Sequence, residues 1–166
     1  MTKYFKYLRY VLRHKWYVFL ECCKAGIIWR GIVHDLSKFI PHEMIPYARH
    51  FYGDNKNSSD TKLEKAEGYF KDRSDPNDPF DFAWLRHQRK YSNRHHWQFW
   101  VLKEDNGSIV VLEIPLNIRK EMICDWIGAG RAQGLKNNTK EWYLRNRANM
   151  VLGPETRKWV ERELGI

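Results

Sequence analysis

The first 25 residues place the strongest constraint on the fold, because apolar side chains recur there at helical spacing and neither proline nor glycine occurs before Gly26. Residues three and four apart share one face of an α-helix, so this pattern predicts a long amphipathic helix over residues 3–25. His14 lies beside the apolar stripe, on its inward face. The stripe consists of Tyr4, Tyr7, Leu8, Val11, Leu12, Tyr17, Val18 and Phe19.

The rest of the chain predicts further helices between turn signals. Residues 98–114 differ, since β-branched and aromatic residues there flank an Asp-Asn-Gly turn, which indicates a two-stranded hairpin. We therefore expect a mainly α, compact single domain spanning residues 1–166, with one small hairpin at about residues 98–114. Residues 54–60 predict a loop and residues 74–79 a break. The other expected helical segments are residues 29–39 (a short helix or turn), 41–52, 63–70, 82–91, 115–132, 139–150 and 154–164.

Length and charge narrow the class of protein. A chain of 166 residues suffices for one domain with its own hydrophobic core. The formal charge of +9 favours anionic partners, such as phosphorylated small molecules or nucleic acid. Lys, Arg and His interrupt the apolar stretches, so neither a signal peptide nor a membrane span is expected. Three cysteines without a C-x-x-C pair indicate a reducing compartment, which predicts a cytoplasmic protein.

Histidine and aspartate residues on separate predicted elements are the chemical signal of this sequence. His34 and Asp35 are adjacent, and imidazole with carboxylate suits Mn, Fe, Co, Ni or Zn better than Ca or Mg. His14 and Asp125 lie in apolar helical segments, where a buried charge without a partner is costly. A cation would pair them. Alternatively, His14 is a hydrogen-bonded core residue and Asp125 pairs with a neighbouring Arg or Lys.

The order of these residues resembles the metal-dependent HD-domain phosphohydrolase superfamily. There one helix supplies a His, the next supplies the His-Asp doublet, and a later helix supplies an Asp. The resemblance implies an HD-type helical domain in which a divalent transition metal ion is bound by His14, His34, Asp35 and Asp125. The HDLSK string at residues 34–38 is also similar to the HD-x-x-K motif of cyclic-dinucleotide phosphodiesterases in that superfamily. This likeness implies that Lys38 contacts a substrate phosphate.

A closer resemblance concerns the strings HDLSKF, HHWQFW and DWIGAG, which are similar to those of a small family of bacterial and phage proteins. The likeness extends over nearly the whole chain but brings no settled substrate. A phage-encoded member would act in the host cytoplasm. His87 and His95 depart from the HD pattern, because they lie much closer in sequence than the corresponding pair of two-metal enzymes. We expect one or two ions, the second held by His87 and His95.

Several further residues are expected near the site. His95 and His96 are consecutive, and a helix or strand would point them in different directions, so we expect only one to be a ligand and prefer His95. The residues expected to act in catalysis are Lys38, His87, His95 and His96. Phosphate contacts are expected from cations that could also be plain solvated surface residues, namely Lys38, Arg86, Arg94 and Arg131.

Two other features allow a structural explanation. Glu43 follows the doublet closely and could lie near the site, although the favoured explanation is a solvated acid that stabilises the first turn of its helix. The Gly-Ala-Gly segment at residues 128–130 predicts either a close approach of a ligand to the backbone or a helix end.

Together with these patterns, the resemblance implies a hydrolase that cleaves a phosphate ester, with a nucleotide as the favoured substrate and metal-activated water as the nucleophile. Two alternatives remain open: an HD-fold di-iron oxygenase, and a non-enzymatic protein that binds nucleotides or nucleic acid. Iron content and oxygen consumption separate the oxygenase from the hydrolase. A steep salt dependence of nucleic-acid binding without turnover would favour the binding protein.

Overall fold

The computed structural model of the protein describes residues 2–53, 77–136 and 138–166. Over these ranges the chain forms seven α-helices and one small antiparallel sheet, which confirms a mainly α fold with a hairpin. The predictions for residues 54–60, 63–70 and 74–76 lie outside the described residues. The helices are α1 (Lys3–Lys24), α2 (Ile28–Val33), α3 (Pro41–Tyr52), α4 (Pro79–Arg89), α5 (Leu116–Ala132), α6 (Thr139–Asn146) and α7 (Pro154–Glu163).

Local chemistry explains where these helices begin and end. α1 stops before Gly26, which takes a φ of 72° that an L side chain rarely adopts. Prolines open α3, α4 and α7, because the first turn of a helix needs no backbone N–H donor. The Asp78 side chain also caps α4 by accepting a 2.7 Å hydrogen bond from the Phe80 amide.

The segment predicted as one short helix or turn over residues 29–39 consists of two pieces. α2 ends at Val33, and a 3-10 helix, Leu36–Phe39, follows after His34 and Asp35. Asp35 has a φ of 53°, in the left-handed region, and lies in the turn between the two pieces. The doublet therefore lies at a turn, not inside a helix.

The hairpin pairs β1 (Val101–Lys103) with β2 (Ile109–Val111), and Val101 lies opposite Val111. Gly107 supplies the positive φ of the turn, 84°, as the Asn-Gly signal indicates. The strands are shorter than the predicted hairpin, because the aromatic residues before β1 form a 3-10 helix, Trp97–Trp100.

The buried apolar residues form three clusters around the candidate site. One joins α1, α3 and α4 through residues such as Val11, Tyr47 and Phe80. Another joins α5, α6 and α7. A small third cluster joins α1 to α5 and includes Val18, one helical turn beyond His14. His14 thus lies between two apolar contacts on the buried face of α1. No helix in the described part of the chain is both long and apolar enough to cross a bilayer.

Candidate metal centre

Histidine and acidic side chains from α1, α4, α5 and the turn after α2 converge on one buried region. Five of the seven histidines of the chain take part. In each of two groups, the candidate ligand atoms all lie within 4.8 Å of one another. We refer to these as the first group and the second group. The first group is His14, His34, Asp35 and Asp125, and the second group is Asp35, His87, His95 and His96.

The first group contains the four residues expected to bind a metal. Asp125 Oδ1 lies 3.1 Å from His14 Nε2 and 3.3 Å from His34 Nε2. Asp35 Oδ2 lies 3.6 Å and 3.5 Å from the same two nitrogens. Two imidazole nitrogens and two carboxylate oxygens therefore face a common point, a donor set that suits the transition metals named above.

The second group is built around the other oxygen of Asp35. Oδ1 lies 3.4 Å from His87 Nε2 and 3.4 Å from His95 Nε2. His96 also belongs to this group, so the expectation that only one of the consecutive histidines faces the site is wrong. Both residues lie in a turn between two 3-10 helices, and the alternation of a helix or strand does not apply there.

Asp35 connects the two groups, since each of its oxygens faces a different set of histidines. It is 1% exposed and is the one non-glycine residue with positive φ in the described ranges. A left-handed conformation costs an L residue about 1–2 kcal/mol and tends to be kept where function needs it. Here the conformation places the carboxylate between the two groups.

Glu121 is a carboxylate behind the site that the sequence analysis missed. Its Oε1 lies 3.1 Å from His34 Nδ1 and 3.4 Å from His95 Nδ1, and its Oε2 pairs with Arg30 at 3.1 Å. A carboxylate accepts hydrogen bonds, so it favours a proton on each Nδ1 and leaves each Nε2 free as a ligand. The set His34, His95 and Glu121 could itself hold an ion, but these contacts suit an orienting partner better. Glu121 precedes Asp125 by one helical turn, a signal that could have revealed it.

Glu43 holds the second group in a similar way, which corrects its interpretation as a solvated first-turn acid. It is fully buried, and its Oε2 lies 2.8 Å from His87 Nδ1. Ser37 donates a 2.9 Å hydrogen bond to the same oxygen, and Asn93 donates a 3.0 Å hydrogen bond to Ser37. His87 is thereby fixed with Nε2 toward Asp35.

When no metal ion is bound, the first group holds a proton on His34. Burial alone would lower the pKa of His34, but the charge of Asp35 and hydrogen bonds with Asp125 and Glu121 raise it to about 10. Burial likewise opposes ionisation of Asp125, yet hydrogen bonds with His14 and His34 hold its pKa well below the usual range. In the absence of metal, a proton on His34 stabilises the two aspartates.

The second group has the opposite character, because its consecutive histidines are neutral. Burial lowers the pKa of His95, and the nearby charge of His34 lowers it further. Burial and the neighbouring histidines hold the pKa of His96 well below its usual range. Neutral imidazole is the form that binds metals. Four inward-facing atoms of this group have no hydrogen-bond partner among the described residues: Nε2 of His87, His95 and His96, and Oδ1 of Asp35.

A cavity of about 220 Å³ opens onto both groups, and its lining includes His14, His95, His96 and Asp125. Lys38 also lines it, with Nζ 2.6 Å from Asp35 Oδ2. The Lys38 ammonium thus lies at the end of the cavity beside the two groups.

The three arginines predicted to contact phosphate lie outside the cavity lining. Arg86 is exposed on α4. The guanidinium of Arg94 lies 4.2 Å from the ring centre of Tyr91. Arg131 pairs with Glu21 and lies over the ring of Tyr17. These arginines have protein partners or face solvent, so of the four predicted phosphate contacts Lys38 alone lines the cavity.

The Gly-Ala-Gly segment at residues 128–130 lies within α5 rather than at its end, and Ala129 and Gly130 line the cavity. A Cβ atom on Gly128 would lie 2.4 Å from Val18 Cγ2 and 2.9 Å from the Val18 amide nitrogen. A Cβ atom on Gly130 would lie 2.4 Å from Asn138 Oδ1. The glycines therefore allow close packing of α1 on α5 and of the Asn138 amide on α5.

Comparison with known proteins gives a family but no activity. A family of unknown function, DUF5662, matches residues 3–166, and the chain belongs to this family. Neither the curated proteins nor the solved structures yielded a match.

Proposed function

We propose that this member of the DUF5662 family is an HD-type hydrolase that binds two divalent transition metal ions and cleaves a phosphate ester. The observation that carries the proposal is the position of Asp35, whose two oxygens face separate groups of buried ligands. A single carboxylate shared in this way suits a pair of ions, as in enzymes that clamp the attacking and leaving oxygens of a phosphoryl group.

The donor types fit transition metals. Each group combines imidazole nitrogens with carboxylate oxygens, a mixture that Mn, Fe, Co, Ni and Zn accept. Divalent ions bound there would polarise phosphoryl oxygens and acidify water. Their charge would also compensate the buried aspartates, which otherwise depend on protonated histidine.

The remaining side chains provide orientation and charge. Lys38 lies beside Asp35 and lines the cavity, so its ammonium is placed to hold a phosphoryl oxygen as negative charge develops on it. Glu121 and Glu43 fix the imidazole rings from behind, which keeps their Nε2 atoms directed at the site. Burial of both groups excludes bulk water and strengthens each of these interactions.

The test is a phosphatase assay on protein purified without chelator and supplied in turn with Mn, Co, Ni, Zn and Mg. We expect turnover of a generic aryl phosphate or a nucleotide with at least one transition metal. His34→Ala and Asp35→Ala should lose both bound metal and activity while the helical circular dichroism is unchanged. His42→Ala is the matched control, since that imidazole is 42% exposed and outside both groups.

The alternatives give different results in the same experiment. Oxygen consumption by an iron-loaded protein without ester cleavage would indicate a di-iron oxygenase. Binding of nucleic acid with steep salt dependence, and no turnover with any ion, would indicate a binding protein. Full activity in His34→Ala or Asp35→Ala would refute the assignment of the site.

A further inference from the structure

The part of the cavity beyond the two groups is lined by uncharged polar and aromatic side chains. Aromatic walls are provided by Trp84, Trp97, Trp126 and Trp142. Indole rings offer flat apolar surface on which a planar group can stack. The lining also includes five amide side chains, from Gln98, Gln133, Asn138, Asn146 and Asn149. Such a wall suits a planar ligand with hydrogen-bonding edges.

Positive charge is scarce in this cavity although the chain carries a formal charge of +9. Apart from the histidines of the two groups, Lys38 is the one basic side chain in its described lining, and it lies at the metal end beside Asp35. Recognition of phosphates depends on arginine, lysine, metal ions or clustered backbone N–H groups. Lys38 can pair with one phosphoryl group at the metal end of the cavity. The lining has no further Lys or Arg to pair with a second or third phosphate near the amide side chains.

Two amides of the lining, Asn138 and Gln98, have surroundings that favour a ligand with hydrogen-bonding groups. Asn138 packs against α5 at Gly130, where any larger residue would collide with its Oδ1. The Gln98 Oε1 atom is buried and has no hydrogen-bond partner among the described residues. A buried carbonyl oxygen without a donor is costly, and a ligand N–H or O–H would satisfy it.

We propose that the cavity selects monophosphate esters of a planar, hydrogen-bonding group, which in chemical class are nucleoside monophosphates, and discriminates against di- and triphosphates. This inference rests on the proposed hydrolase function. In the reaction, water oxygen forms a bond to phosphorus and the ester P–O bond breaks. One water proton ends on the released ester oxygen, so the products are a nucleoside and inorganic phosphate.

The kinetic test compares the mono-, di- and triphosphates of adenosine, guanosine, cytidine and uridine on the metal-loaded protein. We expect kcat/KM of the best monophosphate to exceed that of its own triphosphate by at least about 100-fold, because polyphosphates leave charge unpaired. Equal or faster turnover of the triphosphate would overturn the inference and leave the proposed hydrolase function intact.

A binding measurement tests the preference for monophosphates without requiring turnover. Quenching of tryptophan fluorescence by the same nucleotides reports occupation of the cavity even if no ester is cleaved. Tighter binding of a monophosphate than of its triphosphate supports the inference, whereas equal or reversed affinities overturn it. Absence of turnover with every ester and every metal would count against the hydrolase function alone.

Variants of the amide side chains in the cavity lining test their role directly. Asn138→Ala and Gln98→Ala should each raise KM for the preferred monophosphate about 3- to 10-fold, the effect of one neutral hydrogen bond. Their KM for p-nitrophenyl phosphate and their metal content should be unchanged. Gln88→Ala is the matched control, since that amide on α4 lies outside the cavity lining. Parallel losses for both substrates, or no loss for either, would contradict a nucleoside subsite.

Discussion

Replacement of Glu121 by glutamine should weaken both metal sites at once. One oxygen of this buried carboxylate lies 3.1 Å from His34 Nδ1 and 3.4 Å from His95 Nδ1, and these histidines belong to different groups. Loss of a hydrogen-bonded carboxylate behind a metal-ligating histidine costs about 10- to 100-fold in metal affinity. Glutamine keeps the shape of the side chain but removes the charge, so we expect a loss of this size at each site.

The comparison variant is Glu43→Gln, because Glu43 contacts only a histidine of the second group among the described ligands. Competition with a metal-binding dye, using Co or Zn, resolves two affinities in the wild-type protein. Glu121→Gln should lower both affinities, and Glu43→Gln should lower one. If Glu121→Gln lowers only one affinity, or neither, its role as a shared partner is refuted. Thermal melts of the metal-free variants control for general loss of stability.

Three further predictions concern pH, packing and phosphate binding. Metal affinity should rise with pH, by up to about tenfold per unit between pH 7 and 9, because the ion displaces a proton from His34, whose pKa is about 10. Calorimetry in two buffers of different ionisation enthalpy should detect the released proton. A metal affinity that does not change with pH would contradict this prediction. Gly128→Ala should destabilise the fold by about 1–3 kcal/mol through its clash with Val18, and an unchanged melting temperature would argue against this packing. Lys38→Met should reduce kcat/KM for a phosphate ester by about 100-fold while metal content is retained; loss of metal instead would assign Lys38 a structural role.

The helical framework could be predicted from the sequence because its signals are local. The apolar stripe of α1, the prolines that open three helices and the Asn-Gly turn each act within a few residues. The prediction failed where aromatic residues next to the hairpin entered a 3-10 helix, Trp97–Trp100, instead of a strand. Aromatic residues favour strands when they pack against a sheet, and this two-stranded hairpin offers little surface for such packing.

The sequence carried signals for the four candidate ligands of the first group, which the structure brings together: His14 and Asp125 are polar residues in apolar segments, and His34 and Asp35 are adjacent. For Asp35, the residue type indicated a metal ligand. Its position between the two groups could not be predicted, because that position depends on a backbone φ of 53°. Glu121 carried a signal, since it precedes Asp125 by one helical turn, but the role of Glu43 was harder to predict. Glu43 resembles an ordinary first-turn acid, and only the packing of α3 against α4 reveals that it is buried beside His87.

The cations were the least predictable part of the site. Arg131 lies six residues after Asp125 in the same helix, yet it faces Glu21 and Tyr17. An exposed arginine and one that binds phosphate have the same local sequence signals, because long side chains reach in many directions.

The number of transition metal ions per chain tests the central claim most directly. Mass spectrometry of protein saturated with Co or Zn and then desalted should find about two ions in the wild-type protein, one for each group that Asp35 joins. Asp35→Asn should retain fewer than one, since both groups lose a ligand, and His42→Ala should retain two. A wild-type protein that binds no ion, or an Asp35→Asn variant that still holds two, would contradict the account.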